Sequence, residues 1–362
     1  MIEKQKMTVY NSSAGTDERQ PQQKLVNGII AKGNTKINPD NQLETISMTE
    51  LYDTAYLPKK PLIEGLLYNG IYIFVGAPKT GKSFAMEQMG YHISKGMDIW
   101  DRKVSQGTVL YLALEDDYSR LQSRLYKMFG ADDTPNYYFS VKSKMVANGL
   151  ENQLKEFIDE HKDTSLIIID TLQKVRELSG DSFSYAKDYD VITSLKNFAD
   201  ENNICIVLVH HTRKQEATDA FDAISGTNGL FGAADGAFVL HKDKRTNSDA
   251  ILDISGRDIQ EQRLHLHRSE NCIWELVKSE IDTFEEPKDE IVEEISLLIN
   301  KQNPIWQGTA KQLAEHISIN IKANQLTRKL NCNLSVLCND YHIEYKNVRK
   351  KDGVYISLKL ID

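Results

Sequence analysis

The chain is poor in the residues that mark several protein classes. Among 362 residues there are four cysteines, Cys205, Cys272, Cys332 and Cys338, with no C-x-x-C pair and no zinc-like spacing. That excludes a disulfide scaffold and a cysteine-built metal site, and the four are read as reduced thiols. No run approaches the roughly 18 consecutive apolar residues of a membrane span, and the chain does not open on an apolar leader. The expectation is a soluble, cytoplasmic protein with no membrane partner. Positive charge is also short, with 44 Lys and Arg against 52 Asp and Glu and a formal net charge of −8. A uniformly basic nucleic-acid binder is excluded, but a local basic patch is not, because binding depends on where charges sit. Internal repeats are missing as well. What is there is an ordinary globular composition, 40% hydrophobic and 27% charged, long enough for one large α/β core and a small appended domain.

Composition divides the chain into four parts. Residues 1–45 are rich in Gln, Asn, Lys, Ser and Gly, too polar to offset the entropy of ordering, and are expected to be disordered. Order is expected from Ser47-Met48-Thr49, in a core domain spanning 46–280. Within it, short apolar runs (Ile71–Val75, Thr108–Leu114, Tyr138–Val141, Leu166–Ile169, Cys205–Val209) alternate with helical patterns (Lys82–Ser94, Tyr118–Phe129, Leu150–His161, Tyr185–Glu201). Unbroken apolar strands such as Leu166–Ile169 predict a parallel sheet covered on both faces. After residue 236, Ala237–His241, Ile251–Ser255, Arg263–His267 and Ile273–Val277 follow one another closely, as in an antiparallel extension. Residues 281–288 read as a linker, and 289–362 as a separate small domain.

Gly76-Ala77-Pro78-Lys79-Thr80-Gly81-Lys82-Ser83 fits G-x-x-x-x-G-K-[ST], with a strand entering and a helix leaving. Glycines let backbone N–H groups curl round phosphates, and the helix N-terminus, with Phe84 on its first turn, favours anions. The expected ligand is ATP with Mg²⁺, Lys82 reaching the β- and γ-phosphates and Ser83 ligating the metal. Leu166-Ile167-Ile168-Ile169-Asp170 supplies a carboxylate at the end of a buried strand, the second Mg²⁺ contact. Thr171 follows Asp170, so no Asp-Glu pair provides the water-activating acid. Glu115, ending the strand that starts at Thr108, can do so; alternatively it caps the next helix with Asp116 and Asp117. Cys205–Val209 runs into His210 and His211, either of which can donate to a phosphate oxygen. Neighbours on a strand face opposite ways, so the two histidines do not chelate a metal together.

The series GAPKTGKS, YLALED, LIIIDT, VLVHHTRK, SGTNGLFGAADG and SGRD, in that order over residues 50–280, resembles the RepA-type hexameric helicase ATPases of plasmids and phages. The resemblance implies a RecA-like P-loop core, hydrolysis at subunit interfaces, and translocation of a hexameric ring on single-stranded DNA. It implies an arginine supplied in trans, and Arg257 matches the position, with Arg213 or Lys214 assisting; a structural ion pair with Asp258 or another acid is the alternative reading of Arg257. It also implies DNA-lining loops at Thr171–Asp188, with Lys174, Arg176 and Lys187, and at Arg213–Asp235, flanked by Arg213, Lys214 and Lys242. Acids are mixed among these bases, so packing at an interface is the alternative.

The last domain is expected to hold helices over Ile291–Ile299 and from Thr309, where Thr309 and Gln312 fit a capping box. A third carries Ala323, Leu326, Leu330, Leu334 and Leu337 inward and Asn324, Gln325, Arg328 and Asn331 outward. Strands Ile343–Asn347 and Val354–Leu360 flank Arg349-Lys350-Lys351-Asp352-Gly353, a basic hairpin tip. Helices and basic hairpin together resemble a winged helix. Residues 301–362 hold ten Lys and Arg against five Asp and Glu, which favours duplex DNA contact through Arg328, Arg349, Lys350 and Lys351; binding of a protein instead is the alternative. The function expected from all this is a hexameric, DNA-dependent ATPase, the replicative helicase of a plasmid, phage or integrated element. The alternatives are an ATP-controlled DNA-binding regulator and a recombination or loading factor without unwinding activity.

Overall fold

The computed structural model describes residues 43, 45–56, 59–176, 185–211, 228–244, 246–281, 289–351 and 353–361. The expectation of disorder over most of 1–45 and of a linker over 282–288 falls outside them. The chain divides after Thr54. Before that division lies α1, Met48–Asp53, started by a Ser47/Glu50 capping box and with no buried residue.

The core is a nine-stranded sheet in the order β3-β2-β4-β5-β1-β6-β7-β8-β9. Its strands are β1 Gly70–Gly76, β2 Thr108–Ala113, β3 Tyr137–Ser140, β4 Thr164–Asp170, β5 Cys205–His211, β6 Gly236–His241, β7 Asp249–Gly256, β8 Gln262–Arg268 and β9 Trp274–Ile281. Pairing is parallel from β3 to β6 and antiparallel from β6 to β9, as the two rhythms of the sequence predict. The period-two pleat explains the all-apolar strands. Ile71, Ile73 and Val75 enter one core cluster with Ile167 and Ile206, while Tyr72 and Phe74 enter the other with Tyr111 and Val207. Helices α2 Lys82–Lys95, α3 Tyr118–Phe129, α4 Leu150–Glu160, α5 Leu172–Val175, α6 Tyr185–Asn202 and α7 Asn228–Ala233 complete this part. Among the described residues no helix is long and apolar enough to cross a membrane.

Residues 289–361 hold α8 Glu290–Leu298, β10 Ile305–Thr309, α9 Ala310–His316, α10 Ala323–Cys332, α11 Leu334–Asn339, β11 Ile343–Lys350 and β12 Gly353–Leu360. Three corrections apply here. First, β10 is an additional strand, pairing with β12 in a sheet ordered β10-β12-β11. It is five residues long and runs straight into the Thr309 cap, so it carries too little alternation to be seen in the sequence. Second, the single expected helix over 323–337 is two. Asn333 ends α10 with ψ near 18° while its side chain donates to the Lys329 carbonyl at 2.9 Å, the competition with the helix ladder that Asn side chains offer. Third, Asn331 faces inward at 5% exposure and accepts from the Tyr345 hydroxyl at 2.9 Å and from Asn347 Nδ2 at 2.7 Å.

Candidate nucleotide site

The phosphate loop joins β1 to α2 at the carboxyl end of the parallel strands, where α/β sheets place ligands. Its glycines are required by contacts. A Cβ on Gly76 would meet the Leu240 carbonyl oxygen, and one on Gly81 would lie 2.8 Å from the Trp274 ring. Gly81 also holds φ +101° as the residue preceding α2, a region that side chains disfavour. Thr80 closes the turn by donating its hydroxyl to the Ala77 carbonyl at 2.9 Å, with Pro78 and Lys79 between them.

Lys82 curls back over this loop. Its ammonium donates to the Gly76 carbonyl at 2.8 Å, to the Ala77 carbonyl at 3.0 Å and to His211 Nδ1 at 3.0 Å. Burial pushes its pKa down to about 8, with the charges of Asp170 and Glu115 opposing the shift. Because the ammonium can only donate, His211 Nδ1 accepts and its ring proton is assigned to Nε2. That nitrogen lies 3.7 Å from Glu115 Oε2.

Asp170 ends β4 opposite Ala113 of β2. Its Oδ2 accepts from the Ser83 hydroxyl at 2.9 Å and from the buried Tyr111 hydroxyl at 2.8 Å. Burial raises its pKa, and the two hydroxyl donors work against that rise. Glu115 follows β2 and accepts from the Thr171 hydroxyl at 3.2 Å. It does not cap α3. Asp117 fills that role, accepting from the Arg120 backbone N–H at 2.8 Å, so Glu115 is left facing the site.

These groups converge on an open cavity of about 390 Å³ lined by Lys79, Gly81, Lys82, Ser83, Phe84, Glu115, Asp170 and His211. Three arginines missed by sequence reasoning, Arg120, Arg124 and Arg268, line it too. Arg120 and Arg124 sit four apart on the helix that follows Glu115, a spacing the sequence does show. Arg268 is brought in only by the register of the antiparallel strands. The guanidinium carbons of Arg124 and Arg268 stand 5.9 and 5.8 Å from the centroid of the Phe84 ring. The donor set at the loop mouth, a hydroxyl and a carboxylate in hydrogen-bond contact, is all oxygen, which suits a hard cation such as Mg²⁺. Among the described residues no three His, Cys, Asp or Glu gather to hold a metal on their own.

Other expected site residues lie elsewhere. His210 pairs with Val75 on β5, and strand alternation turns it to the face opposite His211, so His211 alone lines the cavity. Arg257 is also outside the lining; its guanidinium donates to the Gly232 carbonyl at 3.0 Å. Asp258, the acid next to it, pairs with Lys59 at 3.1 Å. Lys174 is exposed on α5, Arg176 and Arg328 are partly buried, and Arg349, Lys350 and Lys351 are exposed at the hairpin. Lys242 stands 5.0 Å over the Trp274 ring. Arg213, Lys214 and the Lys187 side chain lie outside the described residues.

A loop that can wrap phosphates, a buried lysine aimed back at it and carboxylates from two neighbouring strands together have the makings of a nucleoside-triphosphate site. The family model described as an AAA domain matches residues 41–217, a stretch that includes the loop, Glu115, Asp170 and His211. No curated protein matches the chain in sequence. Many solved structures are similar, two of them as follows. One is an isolated ATPase domain, with a TM-score of 0.49 and 13% identity over 58% of this chain and 85% of that one. The other is a DnaB-like replicative helicase, in a structure describing its interactions with primase, with a TM-score of 0.48 and 13% identity over 57% of this chain and 58% of that one.

Proposed function

We propose that the chain is an oligomeric, DNA-dependent ATPase of the replicative-helicase kind, hexameric and serving a plasmid, phage or integrated element. The observation that carries its catalytic half is the convergence of Lys82, Ser83, Asp170, Glu115 and His211 on one cavity. The helicase half rests on the ordered series of motifs from GAPKTGKS to SGRD.

In this reading the backbone N–H groups of Gly76–Ser83 hold the triphosphate, and the Lys82 ammonium exchanges its loop carbonyls for phosphate oxygens. Ser83 and Asp170 would hold Mg²⁺, which when bound neutralises charge on the phosphates. Glu115 takes a proton from the attacking water, and its place beside His211 Nε2 and Thr171 keeps the carboxylate turned into the cavity. His211 links Glu115 to Lys82, so a change at the γ-phosphate is felt by the strand that carries the histidine. Arg257 completes the site from a neighbouring subunit. Single-stranded DNA is contacted by Lys174, Arg176, Arg213 and Lys214. Residues 289–362 act as a winged helix whose hairpin, Arg349–Lys351, meets duplex phosphates.

The test is ATP turnover of the full chain with and without single-stranded DNA, beside strand separation on a forked duplex. Stimulated turnover with unwinding is expected, and both are lost in Lys82→Ala. ATP turnover indifferent to single-stranded DNA, together with tight sequence-specific duplex binding, would select a regulator. Stimulated turnover without strand separation would select a loading factor.

A further inference from the structure

Glu115 has few direct holds for a residue that must aim a water molecule. Its carboxylate is touched by the Thr171 hydroxyl at 3.2 Å and approached by His211 Nε2 at 3.7 Å, and its side chain is 44% exposed. Placement therefore depends on the backbone, and the backbone is anchored at the next residue. Asp116 gives one oxygen to Arg120 at 3.0 Å and the other to Arg124 at 2.6 Å. Arg124 in turn donates from Nε to Glu87 Oε1 at 2.6 Å.

Glu87 is on α2, one turn beyond Ser83, and is fully buried. Its second oxygen, Oε2, has no hydrogen-bond partner among the described residues. A carboxylate buried in that condition is held there by its cation; burial drives its pKa up to about 7, Asp116 and Asp170 adding to the rise and Arg124 opposing it. A buried pair of this kind is weak evidence for stability, because its desolvation penalty rivals its attraction. Its geometry is more informative. One guanidinium spans the helix that carries Lys82 and Ser83 and the loop that carries Glu115.

We propose that Arg124 is a positioning residue for hydrolysis, bracing Asp116 against Glu87 and so holding Glu115 at a set distance from the Lys82–Ser83 cradle. This rests on Glu115 being the general base. A displacement of about 1 Å can lower a rate about a hundredfold, whereas ground-state nucleotide binding does not use Glu115.

The experiment is a double-mutant cycle on the full chain with Arg124→Lys and Glu115→Gln. Arg124→Lys keeps the charge but not the two-acid span. It is expected to hold Mg²⁺-ATP within about threefold of the parent affinity while turnover falls at least about tenfold. In the Glu115→Gln background the same substitution is expected to cause no further loss. Losses that multiply would overturn the inference, since Arg124 would then act on the nucleotide itself; so would unchanged turnover. If Arg124→Lys does not fold, Asp116→Asn, which leaves the Arg124–Glu87 contact in place, decides by the same cycle. Normal turnover in Glu115→Gln alone would instead overturn the reading of Glu115, a separate outcome.

Discussion

The indole N–H of Trp274 donates to the carbonyl oxygen of Gly81 at 3.2 Å. Trp274 opens β9, the last strand of the large sheet, and Gly81 closes the phosphate loop 193 residues earlier. A peptide unit is rigid and planar, so fixing the Gly81 carbonyl also fixes the direction of the Lys82 N–H that follows it. Trp274 is itself pinned, its backbone bonded twice to the Gln88 side chain and once to the Trp100 indole. The antiparallel extension therefore sets the geometry of the phosphate cradle.

Trp274→Phe keeps a ring against Gly81 and removes the donor. The expected result is a loss of about 1 kcal/mol in stability, read by thermal unfolding, with a several-fold weaker Kd for ATP. An unchanged Kd would reduce Trp274 to packing. Gly81→Ala, which combines the clash with a positive φ, is expected to abolish nucleotide binding while Gly130→Ala, whose Cβ meets nothing within 4 Å, does not.

Lys82 carries a pH dependence whose sign is fixed by burial. Its folded pKa is about 8 against 10.5 for an ordinary lysine. Between those values the unfolded chain holds more protons than the folded one, so stability of the nucleotide-free protein rises as pH climbs through that window. ATP affinity moves the other way, because the phosphates need the ammonium. Calorimetry above pH 8 in two buffers of different ionisation enthalpy is expected to show proton uptake on binding, absent in Lys82→Met. Identical heats in both buffers would reject the assignment.

Much of this site was legible because the chemistry of phosphate binding is local. Gly76–Ser83, the strand before it and the helix after it are contiguous, and Asp170 and Glu115 each end an apolar run. Arg268 and Trp274 were not legible, because only the pairing of β8 with β9 brings them to the loop. Choosing between His210 and His211 required the register of β5, since a shift of one residue exchanges the two faces. Asn331 failed for a related reason. It borders the apolar stripe of α10, and nothing local reveals that Tyr345 and Asn347 arrive from the hairpin to bond it.

Glu115→Gln retains the shape of the site and removes the proton acceptor. ATP affinity is expected within about threefold of the parent and turnover at least about a hundredfold lower, the range general-base removal gives. Equilibrium binding of labelled ATP beside steady-state phosphate release makes the comparison. Parallel losses in both would mean that Glu115 shapes the cavity instead.

Asn331→Ala deletes an acceptor shared by Tyr345 and Asn347. Tyr345 is buried enough that its pKa is pushed up to about 12, so its hydroxyl finds no ready substitute for the lost partner. The expected loss is about 1–3 kcal/mol, seen as a lower Tm for the C-terminal elements. Asn324→Ala on the exposed side of the same helix is expected to stay within about 0.5 kcal/mol.

The hairpin tip gives the last prediction. Arg349 and Lys350 pair in register with Val354 and Gly353, Lys350 Nζ stands 4.1 Å over the Tyr355 ring, and Arg349, Lys350 and Lys351 are all exposed. On the proposed reading the exposed basic side chains of the hairpin meet phosphates rather than base edges, and each neutralised phosphate releases counterions. Replacing all three by alanine is expected to flatten the dependence of log affinity for duplex DNA on log salt by about two to three units. The loss should be equal on unrelated sequences, because phosphate contacts carry no sequence information. Titrations at several salt concentrations on two unrelated duplexes measure both quantities. An unaltered salt slope would place the duplex contact elsewhere. A loss confined to one duplex would show that the hairpin reads base edges rather than phosphates.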